Sequence, residues 1–452
     1  MRPRAAWRRS SRMVVAGEPA ARVYFHTLGC PKNDADSRYL RRVLLRAGAE
    51  VVERPEDCTH VVINTCGFIQ DAKEESIAAI LESCRAFPRA QVIVMGCLVE
   101  RYRDELIKGI PEVSEWFGIG GETMALCLAR TVLGRTVEDE RPGALGAGNG
   151  KSYAYVKISD GCDEKCTFCA IPNFKGSYES VPTAEILEEA DRCLAEGARE
   201  LILVGQDTSR WRGDGLDLIG LVDLLGEDQR LRRVRVMYLQ PTRLGERFLR
   251  SMLERDKLCA YLDVPFQHSE EEILRRMGRR GHGAGYLELV RRARLVVPEV
   301  HIRSTFIVGF PGEEEQHFEG LLDFVEAAEF EYGGAFVYSP EEGTAAASLG
   351  PRVPTAVATR RLNKLTELIY TTGERRRARL VGTEVEVIVD ESGGDSVVEG
   401  VVAVGRTEGQ APDIDGVTFL KGGAVEMGPG DVVRARIVEV VGCDLVGEVV
   451  AS

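Results

Sequence analysis

The first part of the chain alternates short apolar runs with stretches in which apolar residues recur at helical spacing. Apolar runs bounded by turn residues predict strands, and the helical spacing predicts helices that cover them. The predicted elements are strands at 22–28, 60–64 and 91–95 and helices at 36–47 and 71–84. Because strands and helices alternate, we expect a parallel α/β sheet domain over residues 21–136. Residues 137–150 are rich in glycine and charge and are predicted to form a linker.

A second series of strand patterns begins at residue 151. The strand candidates lie at 153–158, 200–204, 233–239, 260–264, 301–308 and 334–338. Most of them are followed by a helical pattern, and a helical stretch from 358 to about 380 closes the series. Six β/α units predict a partial, open relative of the eight-unit α/β barrel. The carboxyl ends of its strands would form the functional face.

The last part of the chain changes to short alternating runs separated by glycine, aspartate and proline. These runs lie at 385–389, 398–404, 417–420, 431–440 and 445–450. Five strands in so short a segment predict a small antiparallel β-barrel.

Length and composition agree with three globular domains. At roughly 150 residues for each domain, 452 residues correspond to about three. The 44% hydrophobic and 29% charged residues exclude a fibrous or largely disordered protein. No apolar run approaches the roughly 18 residues that a membrane span needs, so no membrane partner is predicted. Residues 1–20 are rich in arginine and lack the apolar core of a secretory signal, which predicts a disordered extension and a cytoplasmic protein.

The charge of the chain is unevenly distributed. The formal net charge is −13, and residues 381–452 alone contain fourteen acidic and four basic residues, a balance of −10. Because nucleic-acid affinity depends on contacts to phosphates, this charge disfavours tRNA and favours a basic protein as the partner. Four arginines between 375 and 379 are the exception. They are predicted to form a solvated helix face that compensates nearby acids, with contact to ribosomal RNA as the alternative.

Cysteines carry the strongest chemical signal. Twelve cysteines in a chain without an export signal indicate metal or redox chemistry. Cys162, Cys166 and Cys169 form a CxxxCxxC run directly after the strand predicted at 153–158. Three thiolates can hold three irons of a cubic iron–sulfur cluster and leave the fourth iron open. The alternative, a structural zinc site, needs four ligands, and no second cysteine pair lies nearby in the sequence.

Three further cysteines share a position relative to predicted strands. Cys30, Cys66 and Cys97 each lie at or just past the end of a predicted parallel strand, and each has a glycine beside it. Because the carboxyl ends of parallel strands meet at one edge, these thiols are predicted to converge there. The alternative is three unrelated buried cysteines. The remaining six are predicted to be buried small apolar residues; they are Cys58, Cys84, Cys127, Cys193, Cys259 and Cys443.

Both sets of three cysteines and the order of the three domains resemble the methylthiotransferase family of radical S-adenosylmethionine (SAM) enzymes over residues 21–452. The resemblance implies an N-terminal methylthiotransferase domain at 21–136, a radical SAM domain at 151–373 and a TRAM-like barrel at 376–450. It also implies two 4Fe-4S clusters, with SAM as the source of the radical and of the methyl group. Cys162, Cys166 and Cys169 would hold the radical-generating cluster. Cys30, Cys66 and Cys97 would hold the cluster that delivers sulfur.

The same resemblance implies which residues contact SAM. Phe168 matches the aromatic position that packs near the adenine, with an ordinary core aromatic as the alternative. Gln206 and Gly309 fall where radical SAM enzymes contact the rest of SAM. No catalytic residue is implied beyond the cluster ligands.

Three short runs are similar to the RimO-type branch of the family, which modifies a ribosomal protein. They are Cys-Pro-Lys-Asn at 30–33, Gln-Asp-Thr at 206–208 and Pro-Phe-Gln-His at 265–268. This similarity implies transfer of a methylthio group to the β-carbon of an aspartate of small-subunit ribosomal protein number twelve, either free or on the subunit, with an external electron donor. The alternatives are a tRNA adenosine methylthiotransferase and a non-catalytic two-cluster electron carrier.

Overall fold

A computed structural model describes residues 21–135, 137, 151–393, 398–422 and 426–450. The predicted extension at 1–20 lies outside these residues, as does the predicted linker at 137–150 apart from Val137. The described chain contains the predicted α/β sheet, the six-strand series and the C-terminal barrel, which confirms the fold class.

The N-terminal domain is a five-stranded parallel sheet in the order β2-β1-β3-β4-β5. Its strands are β1 (Arg22–Thr27), β2 (Glu50–Val51), β3 (His60–Thr65), β4 (Gln91–Gly96) and β5 (Glu115–Phe117). Its helices are α1 (Pro31–Arg46), α2 (Gln70–Ala86), α3 (Cys97–Gly109) and α4 (Glu122–Leu133). Helices α1 and α4 cover one face of the sheet, and α2 and α3 cover the other. Because both faces are covered, the central strand β3 is buried at every position.

The central domain places six strands in two three-stranded parallel sheets, with the orders β6-β9-β12 and β13-β14-β15. These six strands are β6 (Tyr153–Lys157), β9 (Glu200–Val204), β12 (Arg233–Val236), β13 (Tyr261–Asp263), β14 (His301–Val308) and β15 (Tyr332–Val337). Four two-residue strands pair in two separate two-stranded sheets, and they are β7 (Ser159–Asp160) with β8 (Glu179–Ser180) and β10 (Arg212–Gly213) with β11 (Leu216–Asp217). An isolated bridge between Val234 and Leu258 links the two sheets, so the six strands form one partial barrel.

Helices cover the outside of this partial barrel and bury a large apolar core against it. They are α5 (Ile171–Lys175), α6 (Thr183–Ala195), α7 (Leu218–Gly226), α8 (Glu246–Glu254), α9 (Glu271–Arg276), α10 (Gly283–Val296), α11 (Glu315–Ala328) and α12 (Thr355–Arg377). Helix α12 begins directly after Pro354. None of the helices in the described part of the chain is both long and apolar enough to cross a membrane.

The C-terminal domain is a closed five-stranded barrel in the order β16-β17-β18-β20-β19. Its strands are β16 (Glu384–Ser392), β17 (Val401–Arg406), β18 (Thr418–Lys421), β19 (Val432–Val441) and β20 (Asp444–Val449). Alternating residues such as Val387 and Val389 point into its core, as the sequence pattern predicts. The predicted antiparallel pairing holds for most of the barrel, but β18 and β20 run parallel and close it.

The N-terminal domain docks on the central domain through ion pairs. Lys157 Nζ lies 2.6 Å from Asp36 Oδ1. Glu341 Oε2 accepts hydrogen bonds from Lys73 Nζ at 2.9 Å and Arg101 Nη1 at 3.0 Å. Because the Glu341 side chain is only 3% exposed, these contacts fix the two domains more firmly than surface pairs would.

Candidate active site

Three cysteines meet at the carboxyl edge of the N-terminal sheet. Cys30 caps helix α1 after strand β1, Cys66 follows β3, and Cys97 is the first residue of α3 after β4. Strands β1, β3 and β4 are neighbours in the sheet, so the three loops lie side by side. The thiols are close enough for Cys30 to affect the pKa of both Cys66 and Cys97.

Two of the adjacent glycines allow these loops to pack against one another. Gly29 has a φ of +93°, and a Cβ there would lie 2.7 Å from Cys66 Cβ and 3.2 Å from its Sγ. Gly96 has a φ of +105°, and a Cβ there would lie 2.6 Å from Asn64 Oδ1. Glycine is therefore needed at these two positions because a side chain would clash with atoms of the neighbouring loops.

Buried hydrogen bonds hold the same loops in place. They are made by Asn33, Asn64 and Ser76, for which the sequence predicted no role. Asn33 Nδ2 donates to Leu28 O at 2.7 Å and to Thr65 O at 3.2 Å. Asn64 Nδ2 donates to Asn33 O at 3.0 Å. Ser76 Oγ both accepts from Cys66 N and donates to Cys66 O. The sequence contained one signal for these hydrogen bonds. Asn64 lies near the end of a buried strand, where a polar side chain needs a hydrogen-bond partner.

The second set of cysteines lies on the loop between β7 and α5. Cys162 N donates to Gly176 O at 3.1 Å, and Cys169 N donates to Cys166 O at 3.2 Å. Thr167 anchors the loop to α9 through its backbone N–H to Met277 O at 2.9 Å. All three cysteines line a cavity of about 440 Å³, so the loop is open on one side.

Burial raises the pKa of these thiols. It brings the pKa of Cys97 and of Cys169 to about 12, and it raises the pKa of Cys66, Cys162 and Cys166 as well. A buried thiolate therefore needs a positive partner, and cluster iron is such a partner.

The number of thiols in each set agrees with a cubic cluster. Each set supplies three cysteines, and a cubic cluster held by three thiolates keeps one iron open for another ligand. A structural zinc site needs four ligands, and in the described ranges no group of three or more histidine, cysteine or carboxylate side chains is arranged to hold one metal ion.

Lys32 lies between the two sets. Its ammonium is 3.9 Å from the centre of the Tyr238 ring. Burial lowers the pKa of Lys32, but the negative groups of Tyr238, Cys30 and Asp160 outweigh burial and raise it above its ordinary value. Lys32 in turn lowers the pKa of Cys169. Lys32 of the N-terminal domain therefore lies near cysteines of both sets.

The three residues assigned to SAM lie near the second set. Phe168 packs in an apolar cluster with Phe310, the residue after Gly309. Gln206 follows strand β9, and its Nε2 donates to Asp160 Oδ1 at 3.1 Å, while its buried Oε1 has no hydrogen-bond partner among the described residues. The apolar packing of Phe168 also agrees with the alternative of a core aromatic.

Gly309 follows strand β14 with a φ of +73°. A Cβ there would lie 2.6 Å from Ala358 Cβ, so α12 approaches the backbone at this point.

Family models match most of the described chain. Residues 22–118 match "Uncharacterized protein family UPF0004", residues 156–325 match the Radical SAM superfamily, and residues 381–450 match the TRAM domain. Among solved structures, the radical S-adenosylmethionine methyltransferase TsrM from Kitasatospora setae is 15% identical with a TM-score of 0.51. The match covers 73% of this chain and 77% of TsrM, and it supports the fold.

Curated relatives match at higher identity. Proteins named "Ribosomal protein uS12 methylthiotransferase RimO" are 39% identical in Moorella thermoacetica, covering 89% of this chain and 93% of the relative, and 41% identical in Thermotoga maritima, covering 89% and 94%. The one from Symbiobacterium thermophilum is 38% identical and covers 96% of this chain and 92% of its own length. These matches confirm the predicted resemblance and favour neither the tRNA enzyme nor the electron carrier. The chain belongs to the RimO family of radical SAM methylthiotransferases.

Proposed function

We propose that this protein adds a methylthio group to the β-carbon of an aspartate of ribosomal protein uS12. The observation that carries the proposal is the pair of three-cysteine sets on facing domain edges with Lys32 between them. Two clusters held this way would each keep one iron free for a non-protein ligand. A non-catalytic electron carrier has no need for such vacancies or for two sites that face each other.

Each cysteine set holds one 4Fe-4S cluster in this proposal. Cys162, Cys166 and Cys169 hold the cluster that serves SAM, and Cys30, Cys66 and Cys97 hold the cluster that supplies sulfur. When bound, the clusters and SAM supply reductive radical formation, sulfur and a methyl group.

The residues of this chain orient and shield these groups. Arg279 donates to Cys166 Sγ at 3.9 Å and is itself held by Gln240 Oε1 at 3.1 Å and Pro265 O at 3.0 Å. A fixed cation there stabilises the Cys166 thiolate. Phe168 and Phe310 provide an apolar wall beside the cysteine loop, which excludes water from that side.

We assign SAM to the space beside this loop, in contact with Phe168, Gln206 and Gly309. The unpartnered Gln206 Oε1 supports the assignment, because a buried acceptor is costly unless a ligand donates to it. The position of Gly309 supports it as well, because it directly follows β14 at the carboxyl end of the strands, which forms the functional face of such barrels.

We propose that the C-terminal barrel contacts the basic substrate. Fewer of its acidic residues are available for this contact than its composition suggests, because some of them bond other residues of the protein. Asp390, Asp413 and Asp415 point to the central domain and bond Ser152, Tyr155 and Arg303. Several other acids remain exposed for a basic partner, and they are Glu391, Glu399, Glu426, Asp431, Glu439 and Glu448. They favour a ribosomal protein over tRNA.

The arginines at 375–379 support the interpretation of a helix face that compensates acids. Arg376 Nε donates to Glu331 Oε1 at 2.6 Å, and Arg379 Nη2 donates to Glu329 Oε2 at 3.1 Å. Arg377 is buried and donates to Gly442 O at 2.7 Å. Only Arg375 is left exposed without a bonded partner among the described residues, which gives little support for RNA contact. We propose that the enzyme acts in the cytoplasm, where its proposed ribosomal substrate lies, and that an external electron donor serves it.

The experiment that tests this function compares three variants with wild type under anaerobic conditions. Cys162→Ala/Cys166→Ala/Cys169→Ala should abolish SAM cleavage and keep the iron of one cluster. Cys30→Ala/Cys66→Ala/Cys97→Ala should keep SAM cleavage but form no methylthio product on uS12. Cys127→Ala serves as the control, because this cysteine is exposed in the structure, and the prediction that it is buried was wrong. Mass spectrometry of uS12 and of tRNA measures the product, and a modified adenosine with unmodified uS12 would contradict the proposal.

A further inference from the structure

Lys32 occupies a position that helix formation alone disfavours. It lies in the first turn of the 16-residue helix α1, directly after Pro31. The positive end of the helix dipole costs a cation in the first turn roughly 0.3–1 kcal/mol. Lys32 nevertheless lies there, with its ammonium over the ring of Tyr238 of the central domain.

The ammonium of Lys32 has no anionic partner in the described part of the chain. Its close contact is the face of the Tyr238 ring at 3.9 Å, and no carboxylate lies within 4.0 Å of it. The other cations near the thiols are occupied, since Lys175 pairs with Asp160 at 3.2 Å and Arg279 donates to Gln240 and Pro265. An ammonium has three donors and no acceptor, so Lys32 is left with donors to offer.

The nearest carboxylate cannot serve Lys32, because its oxygens are used elsewhere. Asp160 accepts from Lys157 Nζ at 3.3 Å and from Lys175 Nζ at 3.2 Å. It also accepts from Gln206 Nε2 at 3.1 Å and from Gly161 N at 3.0 Å. Both oxygens of Asp160 are therefore already used by other donors.

The ring under Lys32 is held in an unusual backbone conformation. Tyr238 has a φ of +60°, which is rare for a residue with a side chain. Its backbone N–H donates to the buried carboxylate of Asp263 at 2.9 Å, which stabilises this conformation. Such strain is concentrated at functional sites, and here it places an aromatic face against the lysine.

We infer that Lys32 binds the carboxylate of the aspartate that receives the methylthio group. This inference rests on the proposed function. The acceptor carbon must be reached from both cysteine sets, and Lys32 lies between them. In an aspartate the carboxylate is one bond from the β-carbon, so a cation at this point would hold the acceptor carbon in place. SAM also has a carboxylate, but Lys32 belongs to the N-terminal domain and the SAM residues belong to the central domain.

The test measures the affinity of reconstituted enzyme for uS12 and for a uS12 variant whose acceptor aspartate is asparagine. Lys32→Met removes the charge and keeps the length of the side chain, and Lys32→Arg restores the charge. Lys108→Met, on the exposed end of α3, is the matched control. Iron content and the dissociation constant for SAM are measured in each variant.

We expect Lys32→Met to weaken uS12 binding at least about tenfold and to lower kcat/KM at least as much, with Lys32→Arg recovering part of the loss. The asparagine form of uS12 should bind wild type weakly and Lys32→Met no more weakly, because the two changes remove one contact. Iron content and SAM affinity should stay at wild-type values.

Equal uS12 affinity in Lys32→Met, additive losses in the two changes, or a loss confined to SAM affinity would each overturn the assignment of Lys32. The proposed function fails separately, when wild-type enzyme with both clusters loaded neither binds nor modifies uS12.

Discussion

Glu200→Gln is expected to destabilise the central domain strongly, because it removes the carboxylate that pairs with two buried arginines, of which Arg406 alone keeps a second ion pair, with Asp390. Glu200 Oε1 accepts from Arg235 Nε at 2.7 Å, and Oε2 accepts from Arg406 Nη1 at 2.7 Å. None of these side chains is more than 1% exposed. Burial alone would raise the pKa of Glu200, but the two arginines outweigh it and lower the pKa from 4.5 to about 2.

The magnitude follows from that pKa. A shift of this size corresponds to about 3 kcal/mol of interaction between the carboxylate and its surroundings. Removal of one partner from a buried ion pair costs roughly 3–5 kcal/mol, which agrees. For a domain of this length the loss should lower the Tm by about 6–12 °C.

Thermal unfolding followed by circular dichroism at neutral pH measures the effect. Glu384→Gln is the control, since Glu384 and Arg436 are 39% and 57% exposed and their pair at 2.8 Å contributes at most about 1 kcal/mol. Because the folded-state pKa of Glu200 lies below its ordinary value, its stabilisation is complete above pH 4.5 and is lost as the pH falls toward about 2. The difference between wild type and Glu200→Gln should therefore shrink below pH 4.5. A variant that unfolds at the wild-type temperature would refute this account of the network.

Two further substitutions test the cluster site and the contact between the domains independently of each other. Gly29→Ala places a methyl group 2.7 Å from Cys66 Cβ at a φ of +93°. The iron content should therefore fall to that of one cluster while SAM cleavage persists. Retention of all the iron would show that the loop can adjust. Glu341→Gln removes the charge that Lys73 and Arg101 share, and a shift of the facing sites by about 1 Å can cost roughly 100-fold in rate. The ratio of methylthio product to 5′-deoxyadenosine should therefore fall at least about tenfold, and an unchanged ratio would show that this contact does not align the sites.

The sequence predicts the cores of the elements more reliably than their edges. The runs at 60–64, 200–204 and 301–308 are strands within a residue of their predicted bounds, because both local pattern and burial favour them. The two-residue edge strand β2 and the three-residue strand β5 have no pattern long enough to predict them. They exist because the neighbouring strand offers hydrogen bonds.

The convergence of the cysteines could be predicted, whereas the contents of the space between them could not. Strand order follows from general rules for parallel sheets, which brought Cys30, Cys66 and Cys97 to one edge. The contact of Lys32 with Tyr238 joins residues that are far apart in the sequence and lie in different domains. No periodicity encodes such a contact. The helix predicted at 36–47 begins at Pro31 in the structure, so the place of Lys32 in its first turn was not predicted either.

The partial barrel explains why all three domains act as one unit. At the carboxyl end of β6, Lys157 bonds Asp36 of the N-terminal domain, and at its amino end the Tyr153 hydroxyl donates to Asp413 of the C-terminal barrel at 3.0 Å. Ala35 and Ala411 both pack into the apolar interior of the six strands. Six strands do not close a barrel, so its interior must be covered by other parts of the chain. The N-terminal domain covers the end where the cysteines lie and the C-terminal barrel covers the other. The acids of that barrel therefore divide between those that contact the central domain and those that are exposed to the proposed basic partner, and substitutions of the two groups should differ in whether they affect stability or binding of uS12.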